Sequence, residues 1–178
     1  MWRAVAACLA VPAVAAMLQP SPAADRDWKR WLDDVRPLVL PDEEKAVLKL
    51  PVADREGFRE AFWRRRAPDP TSTDNERRVA YERRVQIAEP RFRDSKGAWN
   101  DCGRTFLLLG KPDSARKVTD TSQRAGGAAS EVWTYRNSPR LPQTAGGYVF
   151  SFSSTCGSLG GATFQQTLRS VAATYVSR

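Results

Sequence analysis

Arginine side chains are the groups of this sequence best suited to chemistry at a surface. They cluster between residues 64 and 84, on segments predicted to be helical. A basic face of this kind can bind nucleic acid, anionic lipid headgroups or acidic glycans. The candidate members of the face are Arg64, Arg65, Arg66, Arg77 and Arg84. The alternative is an ordinary solvated helix face with local ion pairs, because Glu76, Glu82 and Glu89 are interleaved with these arginines.

The groups needed for the usual forms of catalysis are missing. There is no histidine, which excludes Ser–His and Cys–His catalysis in their usual form and removes the commonest metal ligand. The cysteines lack zinc-site spacing, and the glycine pairs at 126–127 and 146–147 lack the context of a phosphate-binding loop. We therefore predict a protein that is not an enzyme and has no cofactor and no metal. The alternative is a carboxylate pair that cleaves glycosidic bonds, although the acidic residues lie mainly at predicted helix starts or among arginines.

The first two dozen residues have the plan of a secretory signal peptide. Arg3 precedes an apolar run from Ala4 to Leu18, and residues 19–24 provide small residues for cleavage. The run is short for a membrane span. We predict a signal peptide over residues 1–24, cleaved near Ala24, and an exported protein that is periplasmic or secreted. A retained N-terminal anchor is the alternative. Because export is predicted, we expect no nucleic acid among the partners.

Export also changes the interpretation of the cysteines. Cys8 lies inside the predicted signal peptide and precedes most of its apolar run, so we do not expect it to be lipidated. The mature chain keeps Cys102 and Cys156, and an even count in an oxidising compartment favours a disulfide. Each of the two lies beside a predicted strand, so neighbouring strands could bring them together. The alternative is two free cysteines buried as small apolar side chains.

Helices are predicted for the N-terminal half of the chain. From Asp25 to Val35 the apolar residues recur at helical spacing, with Trp28 and Trp31 on one face. This amphipathic helix can dock on the body of the protein, or lie on a membrane with the Trp pair inserted. Later helices are predicted to begin at Pro41, after Asp54 and at a capping box formed by Thr73 and Glu76, the last of them ending at Pro90.

The pattern changes to strands after Gly97. Short apolar runs or alternating patterns occur at residues 105–109, 131–136, 148–152 and 162–168. Helices followed by strands predict the α+β class, with N-terminal helices packed on a small, mostly antiparallel β-sheet. We predict an amphipathic helix or linker over residues 25–37 and a C-terminal tail over residues 171–178. Between them lies one domain, helical over residues 38–95 and β over residues 96–170.

Several short motifs follow one another closely in the middle of the chain. They are Phe62–Arg66, Asp69–Pro70, Asn75–Glu76, Tyr81–Arg84, Gly97–Arg104 and Gly110–Asp113. Their order resembles that of the GWxTD-domain proteins, a family of the bacterial envelope. The resemblance extends over about residues 38–167. The motif that names the family is altered here, because Trp99 stands one place late and Asn100 replaces the usual threonine.

The resemblance implies an envelope setting and no established reaction. It also marks signature residues that we interpret as structural, namely Asn75, Glu76, Trp99, Asp101, Gly103, Arg104, Gly110, Pro112 and Asp113. Asp101 and Arg104 are expected to form an ion pair that locks a turn. The arginines at 64–66 are expected to reach Glu76 across the turn between two helices.

The sequence thus predicts an exported, non-catalytic envelope protein with a binding or structural role. The expected partner is another envelope protein or an acidic surface polymer, held by the sheet edge or by the basic helical face. Two alternatives stay open. One is a carboxylate-dependent enzyme that cleaves glycans. The other is a peripheral membrane module that uses Trp28 and Trp31 together with the arginine clusters.

Overall fold

The computed structural model describes residues 21–119, 129–142 and 144–176. Over these residues it has six α-helices and one antiparallel sheet of three strands, so the predicted α+β class is confirmed. The helices are α1 (Pro22–Val35), α2 (Pro41–Val47), α3 (Arg55–Arg64), α4 (Glu76–Phe92), α5 (Asp101–Leu109) and α6 (Gly161–Ala173). The strands are β1 (Ser114–Thr119), β2 (Ala129–Tyr135) and β3 (Tyr148–Phe152).

Most of the predicted signal peptide lies outside the described residues, as do Cys8 and the glycine pair at 126–127. The predicted cleavage point, Ala24, lies in the first turn of α1. None of the described helices is both long enough and apolar enough to cross a membrane.

The sheet turns the aromatic side chains of β2 and β3 toward the helices. β2 is the central strand and pairs antiparallel with both neighbours, and Trp133 stands opposite Phe150 of β3. The Trp133 ring lies 5.1 Å from the ring of Phe152 and 5.8 Å from that of Phe92 on α4. Because side chains alternate between the faces of a strand, Tyr135 shares this face. All five side chains are buried, so this face of the sheet is one wall of the core.

Two of the predicted strands are helices. Residues 105–109 belong to α5 and residues 162–168 belong to α6. A short apolar run fits a buried strand or a buried helix, and for α5 the local start signal decides for the helix. The Asn100 side chain accepts a hydrogen bond from the Gly103 amide at 2.9 Å and so caps α5. The region 96–170 is therefore not all β.

The first strand of the sheet, β1, follows the predicted turn at residues 110–113 instead of preceding it. Residues 114–118 are all exposed. A strand without a buried face needs no alternation of apolar and polar side chains, so the sequence carried no periodic signal for it.

Helix α6 crosses residue 171, where the C-terminal tail was predicted to begin. Val171, Ala172 and Tyr175 are buried in the core. The Tyr175 hydroxyl donates a hydrogen bond to the carbonyl of Leu108 at 2.6 Å and accepts one from Arg84 at 2.9 Å. The end of α6 is thereby attached to both α5 and α4.

Helix α4 starts at a different cap from the predicted one. Its N-cap is Asn75, whose side-chain oxygen accepts a hydrogen bond from the Arg78 amide at 3.0 Å. The side-chain nitrogen of Asn75 donates to the Trp63 carbonyl at 2.7 Å. The predicted capping box of Thr73 and Glu76 is therefore wrong. Asn75 serves better because one carboxamide caps α4 and also joins it to the end of α3.

Helix α4 also continues past its predicted end at Pro90, as far as Phe92. Proline removes one backbone hydrogen bond from the last turn. Burial of Phe92 offsets that loss, since its ring lies 5.8 Å from the ring of Phe106 on α5 and 5.8 Å from that of Trp133.

The tryptophan pair of α1 is packed on α3. The rings of Trp28 and Trp31 stack at 5.1 Å and meet the Phe58 ring edge-on at 6.1 and 6.3 Å. The guanidinium of Arg55 lies 5.3 Å from the Trp28 ring, and that of Arg59 lies 5.2 Å from the Trp31 ring. Docking of this helix, one of its two predicted outcomes, is confirmed. Trp28 is buried in this arrangement and Trp31 is half-buried, and the membrane contact expected through the pair stays a prediction.

Candidate functional site

Arg66 is a buried member of an ion-pair cluster and not part of a basic surface. Its guanidinium donates to both carboxylate oxygens of Glu43 on α2, at 2.9 and 2.6 Å, and to the carbonyls of Leu38 and Phe62. Glu43 also accepts from Arg65 at 3.0 Å. The side chains of Arg66 and Glu43 are 0% and 4% exposed. The prediction that Arg66 lies on the basic face is wrong, and the partner of this arginine pair is Glu43, not Glu76.

Arg77 turns inward as well. Its guanidinium donates to the carbonyl of Arg66 at 3.3 Å and to that of Tyr175 at 3.2 Å. It thus joins the turn after α3 to the chain after α6. Of the five arginines predicted to form a binding face, Arg65, Arg66 and Arg77 are used within the fold, and Arg84 donates to the Tyr175 hydroxyl.

The signature residues around Trp99 build the start of α5. The Trp99 indole nitrogen donates to the Asp33 carbonyl at 2.9 Å, and the Arg93 guanidinium lies 3.9 Å from the Trp99 ring. The carboxylate of Asp101 accepts from Arg104 at 3.0 Å, so the predicted ion pair is confirmed. Its second oxygen accepts from the Ser158 amide at 2.8 Å. The Trp99 hydrogen bond ties the start of α5 to α1, the Ser158 hydrogen bond ties α5 to the chain after β3, and the Asp101–Arg104 pair lies within α5.

Gly103 allows a close approach of α5 to α4. A Cβ atom at this position would lie 2.9 Å from the Cβ of Phe92 and 3.1 Å from Cε3 of Trp99. Gly103 is itself buried in the first turns of α5. No residue larger than glycine fits without moving one of these aromatic side chains.

We expect Gly103→Ala to lower the free energy of unfolding by about 1–3 kcal/mol, because overpacking displaces a well-packed core. Gly57→Ala is the matched control, since Gly57 lies within α3 with no atom near its missing Cβ. That substitution should raise the free energy of unfolding by about 0.5–1 kcal/mol. Urea titrations followed by circular dichroism measure both values. Equal effects of the two substitutions would contradict the close approach at Gly103.

The remaining signature residues close the turn between α5 and β1. Gly110 has a φ of 81°, which side chains disfavour, and its carbonyl accepts from the Tyr135 hydroxyl at 2.9 Å. Burial raises the pKa of Tyr135 well above its ordinary value, so this hydroxyl stays a donor. The Asp113 carboxylate accepts from the Arg136 amide at 2.6 Å. Pro112 lies between them in the turn and is half-buried.

Cys102 and Cys156 are joined by a disulfide bond. The bond joins the first turn of α5 to the chain after β3, and the two residues are 54 positions apart. Cys102 is fully buried and lies in a helix instead of beginning a strand. The Asp101 amide donates to the Cys156 carbonyl at 3.1 Å next to the disulfide. The covalent link and the hydrogen bonds therefore hold the same two segments together.

Several acidic side chains of the described residues are held by basic ones. The Asp25 carboxylate accepts hydrogen bonds from Lys29 and Arg55, which hold its pKa below the ordinary value. Burial raises the pKa of Asp34 above its ordinary value, against the attraction of Arg93, with which it forms an ion pair. Across residues 21–119, 129–142 and 144–176, no three acidic or cysteine side chains are grouped so that they could hold a metal ion.

One candidate binding surface is a groove along α3 and α4, which we call the α3–α4 groove. It has a volume of about 990 Å³. Trp63 is at its base, and Val79 and Ile87 of α4 line it although they are 65% and 46% exposed. Its basic side chains are Arg64, Arg78, Arg83 and Arg84, and its acidic ones are Glu60, Asp74 and Glu76.

Three of these basic side chains have no carboxylate within salt-bridge distance among the described residues, namely Arg64, Arg83 and Arg84. Arg78 differs, because it pairs with Glu82 at 2.8 Å. The acidic Asp74 and Glu76 stand at the start of α4, away from Arg84 and Ile87 toward its far end. Arg64 ends α3 close to the start of α4, so basic and acidic side chains occur together there, and Arg83 and Arg84 add further basic groups along α4. The groove offers apolar contact along its length and the guanidinium groups of Arg64 and Arg83, whereas Arg84 is half-buried and donates one hydrogen bond to Tyr175.

Of the predicted basic face, the structure places Arg64 and Arg84 in this groove, and it adds Arg83. The contributions of Val79 and Ile87 were not recognised in the sequence. Their signal was the four-residue spacing of Val79, Arg83 and Ile87, which places the three on one helix face. Comparison with protein-family models, with curated proteins and with solved structures finds no match to this chain.

Proposed function

We propose that this chain is an exported, non-catalytic binding module of the bacterial envelope. Its partner is an acidic segment of another envelope protein, held in the α3–α4 groove. The single observation that carries the proposal is the combination found in that groove: three arginines without carboxylate partners beside two exposed apolar side chains.

The arginines support an acidic partner. A guanidinium group that has no carboxylate of its own is free to form a charge-assisted, two-pronged hydrogen bond with one from outside. Arginine and large apolar side chains are enriched at protein interfaces. The formal net charge of +8 over the full sequence would also attract an acidic partner over distances of several ångströms before contact.

The apolar side chains support a helical partner. Val79 and Ile87 are eight residues apart on α4, which is about 12 Å along the helix axis. An amphipathic helix lying in a groove presents apolar anchors at comparable intervals. Acidic residues on its flanks would meet Arg64, Arg83 and Arg84.

Export is supported by two further observations. The disulfide between Cys102 and Cys156 is typical of proteins in oxidising compartments. The N-terminal sequence has the plan of a signal peptide. We propose also that the chain is a member of the GWxTD-domain family. The Asp101–Arg104 pair, the Asn75 cap and the turn at Gly110 give these family-like residues structural purposes, which fits a non-catalytic protein.

The test uses a synthetic, helix-forming peptide with leucine on one face and glutamate on its flanks. Fluorescence anisotropy compares it with the same peptide carrying lysine instead of glutamate. We expect only the glutamate peptide to bind, with an affinity that falls as salt is raised. Arg83→Glu should weaken binding about tenfold or more, because it places a like charge against the peptide. Arg116→Glu on the exposed strand β1 is the matched control and should change binding by less than about twofold.

Three results would overturn the proposal. The first is equal binding of the glutamate and lysine peptides. The second is an Arg83→Glu variant that binds as well as the control variant. The third concerns an acidic polysaccharide such as polygalacturonate. If it binds through Arg83, but Val79→Ser leaves its affinity unchanged and the peptide does not bind, the partner is a surface polymer and not a protein segment.

A further inference from the structure

A second concavity lies on a different part of the molecule, between the turn after α1, the residue Trp99 and helix α6. We call it the Trp99 pocket. Its volume is about 360 Å³, and it shares no lining residue with the α3–α4 groove. This volume lies near the lower end of the range of pockets that hold small molecules, about 300–1,000 Å³. A small ligand therefore fits it better than a folded partner does.

The walls of the Trp99 pocket are mostly apolar. Pro37, Leu40 and Pro41 line it from the chain before α2, and Leu168 lines it from α6. Leu168 is buried and fixed in the core, as is Trp99. The indole nitrogen of Trp99 already donates to the Asp33 carbonyl at 2.9 Å. These walls favour an aliphatic chain, and they offer little to the amide groups of a peptide, which would lose their hydrogen bonds to water.

Three arginines line the same pocket, and they differ in whether a carboxylate of the protein pairs with them. Arg36 pairs with Asp33 at 3.1 Å, and Arg104 pairs with Asp101 at 3.0 Å. Arg169 of α6 is exposed, and none of the described residues places a carboxylate within salt-bridge distance of it. One guanidinium at an apolar pocket is thus available for an external anion.

We infer that the Trp99 pocket binds a small anionic amphiphile, a medium-length acyl chain that ends in a carboxylate. The chain lies along the apolar walls and the carboxylate pairs with Arg169. The chemistry is non-covalent, and the protein keeps the same contacts in the core whether the pocket is filled or empty. This inference does not depend on the proposed function of the α3–α4 groove.

Isothermal titration calorimetry tests it with decanoate, below the concentration at which decanoate forms micelles. Decylamine has the same chain with the opposite charge, and we expect it not to bind. Arg169→Ala should weaken decanoate binding about five- to tenfold, as expected when a charge-assisted hydrogen bond is lost from a partly exposed site. Arg116→Ala, on the exposed strand β1, is the matched control and should leave the affinity unchanged.

A second variant tests the pocket itself. Ala98 lines the Trp99 pocket and is exposed, so Ala98→Trp fills the space without removing a core side chain. We expect it to abolish decanoate binding and to leave the thermal unfolding midpoint unchanged. The inference is overturned if decylamine binds as well as decanoate, or if Arg169→Ala and Ala98→Trp both bind decanoate like the unaltered protein. It is also overturned if a short peptide with a C-terminal leucine binds at Arg169 in preference to decanoate.

Discussion

Arg66→Ala should lower the free energy of unfolding by about 3–5 kcal/mol, as expected when one partner of a buried ion pair is removed. The substitution leaves the carboxylate of Glu43 buried, with Arg65 and the Leu40 amide as its remaining partners. It also leaves the carbonyls of Leu38 and Phe62 without their donor. Guanidinium chloride titrations, analysed by linear extrapolation, measure the loss.

Arg65→Ala is the matched control, because Arg65 bonds to the same carboxylate but its side chain is 53% exposed. It should cost less than about 1 kcal/mol. A double variant, Glu43→Gln with Arg66→Met, should lose less stability than Arg66→Ala. It removes both charges, and the new glutamine keeps an acceptor for the Leu40 amide. If Arg65→Ala and Arg66→Ala lower the free energy of unfolding by the same amount, the buried ion pair does not stabilise the fold more than the exposed one does.

Removal of the disulfide should cost about 4 kcal/mol, the value of the chain-entropy relation for a loop of 54 residues. The variant for this measurement is Cys102→Ala with Cys156→Ala, which avoids a buried free thiol. Most of the loss arises in the unfolded state, where the open chain gains conformations. Denaturant titrations of the variant and of the oxidised protein measure the difference.

The reduced protein serves as the comparison. Treatment with a phosphine reductant should bring the unaltered protein to within about 1 kcal/mol of the variant, since both then lack the same covalent link. The reductant should not change the stability of the variant. If the reductant leaves the unaltered protein as stable as before while the thiols become titratable, the disulfide does not stabilise the fold.

The pattern of apolar and polar residues correctly predicted those helices and strands that have one buried face and one exposed face. β2 and β3 have one face in the core, and α1 carries its apolar residues on the side that meets α3. Alternation or a helical stripe was visible in each of them. The same reasoning failed for α5, where Cys102, Phe106, Leu107 and Leu108 are all buried. A helix that is buried on nearly all sides has no periodic pattern of apolar and polar residues in its sequence.

Contacts between distant segments were harder to foresee. Arg66 forms its ion pair with Glu43, which lies 23 residues earlier in the chain. The sequence analysis instead predicted a contact with Glu76, across the turn that follows α3. Arginines are seldom fully buried, so nothing local marked Arg66 as a core residue. In contrast, the Asp101–Arg104 pair joins neighbours three residues apart in one helix, and such a pair follows from spacing alone.

The groove was partly visible in the sequence. The arginines of α4 were recognised as a cluster, but which of them face solvent depends on how α4 packs against α5. Tyr81 and Ala88 are fully buried on one side of α4, and Val79 and Ile87 are exposed on another. A helix with two apolar faces does not reveal from its sequence which face the core takes.

The exposed strand β1 bears on how this protein behaves when it is crowded. Among the described strands it stands at one end of the sheet, and Arg116 and Lys117 are adjacent on it. Two copies that met along this strand would bring four positive charges into rows about 5 Å apart. That repulsion opposes the formation of a continuous sheet across two molecules. It therefore protects this edge strand, which no other described segment covers, from pairing with another copy.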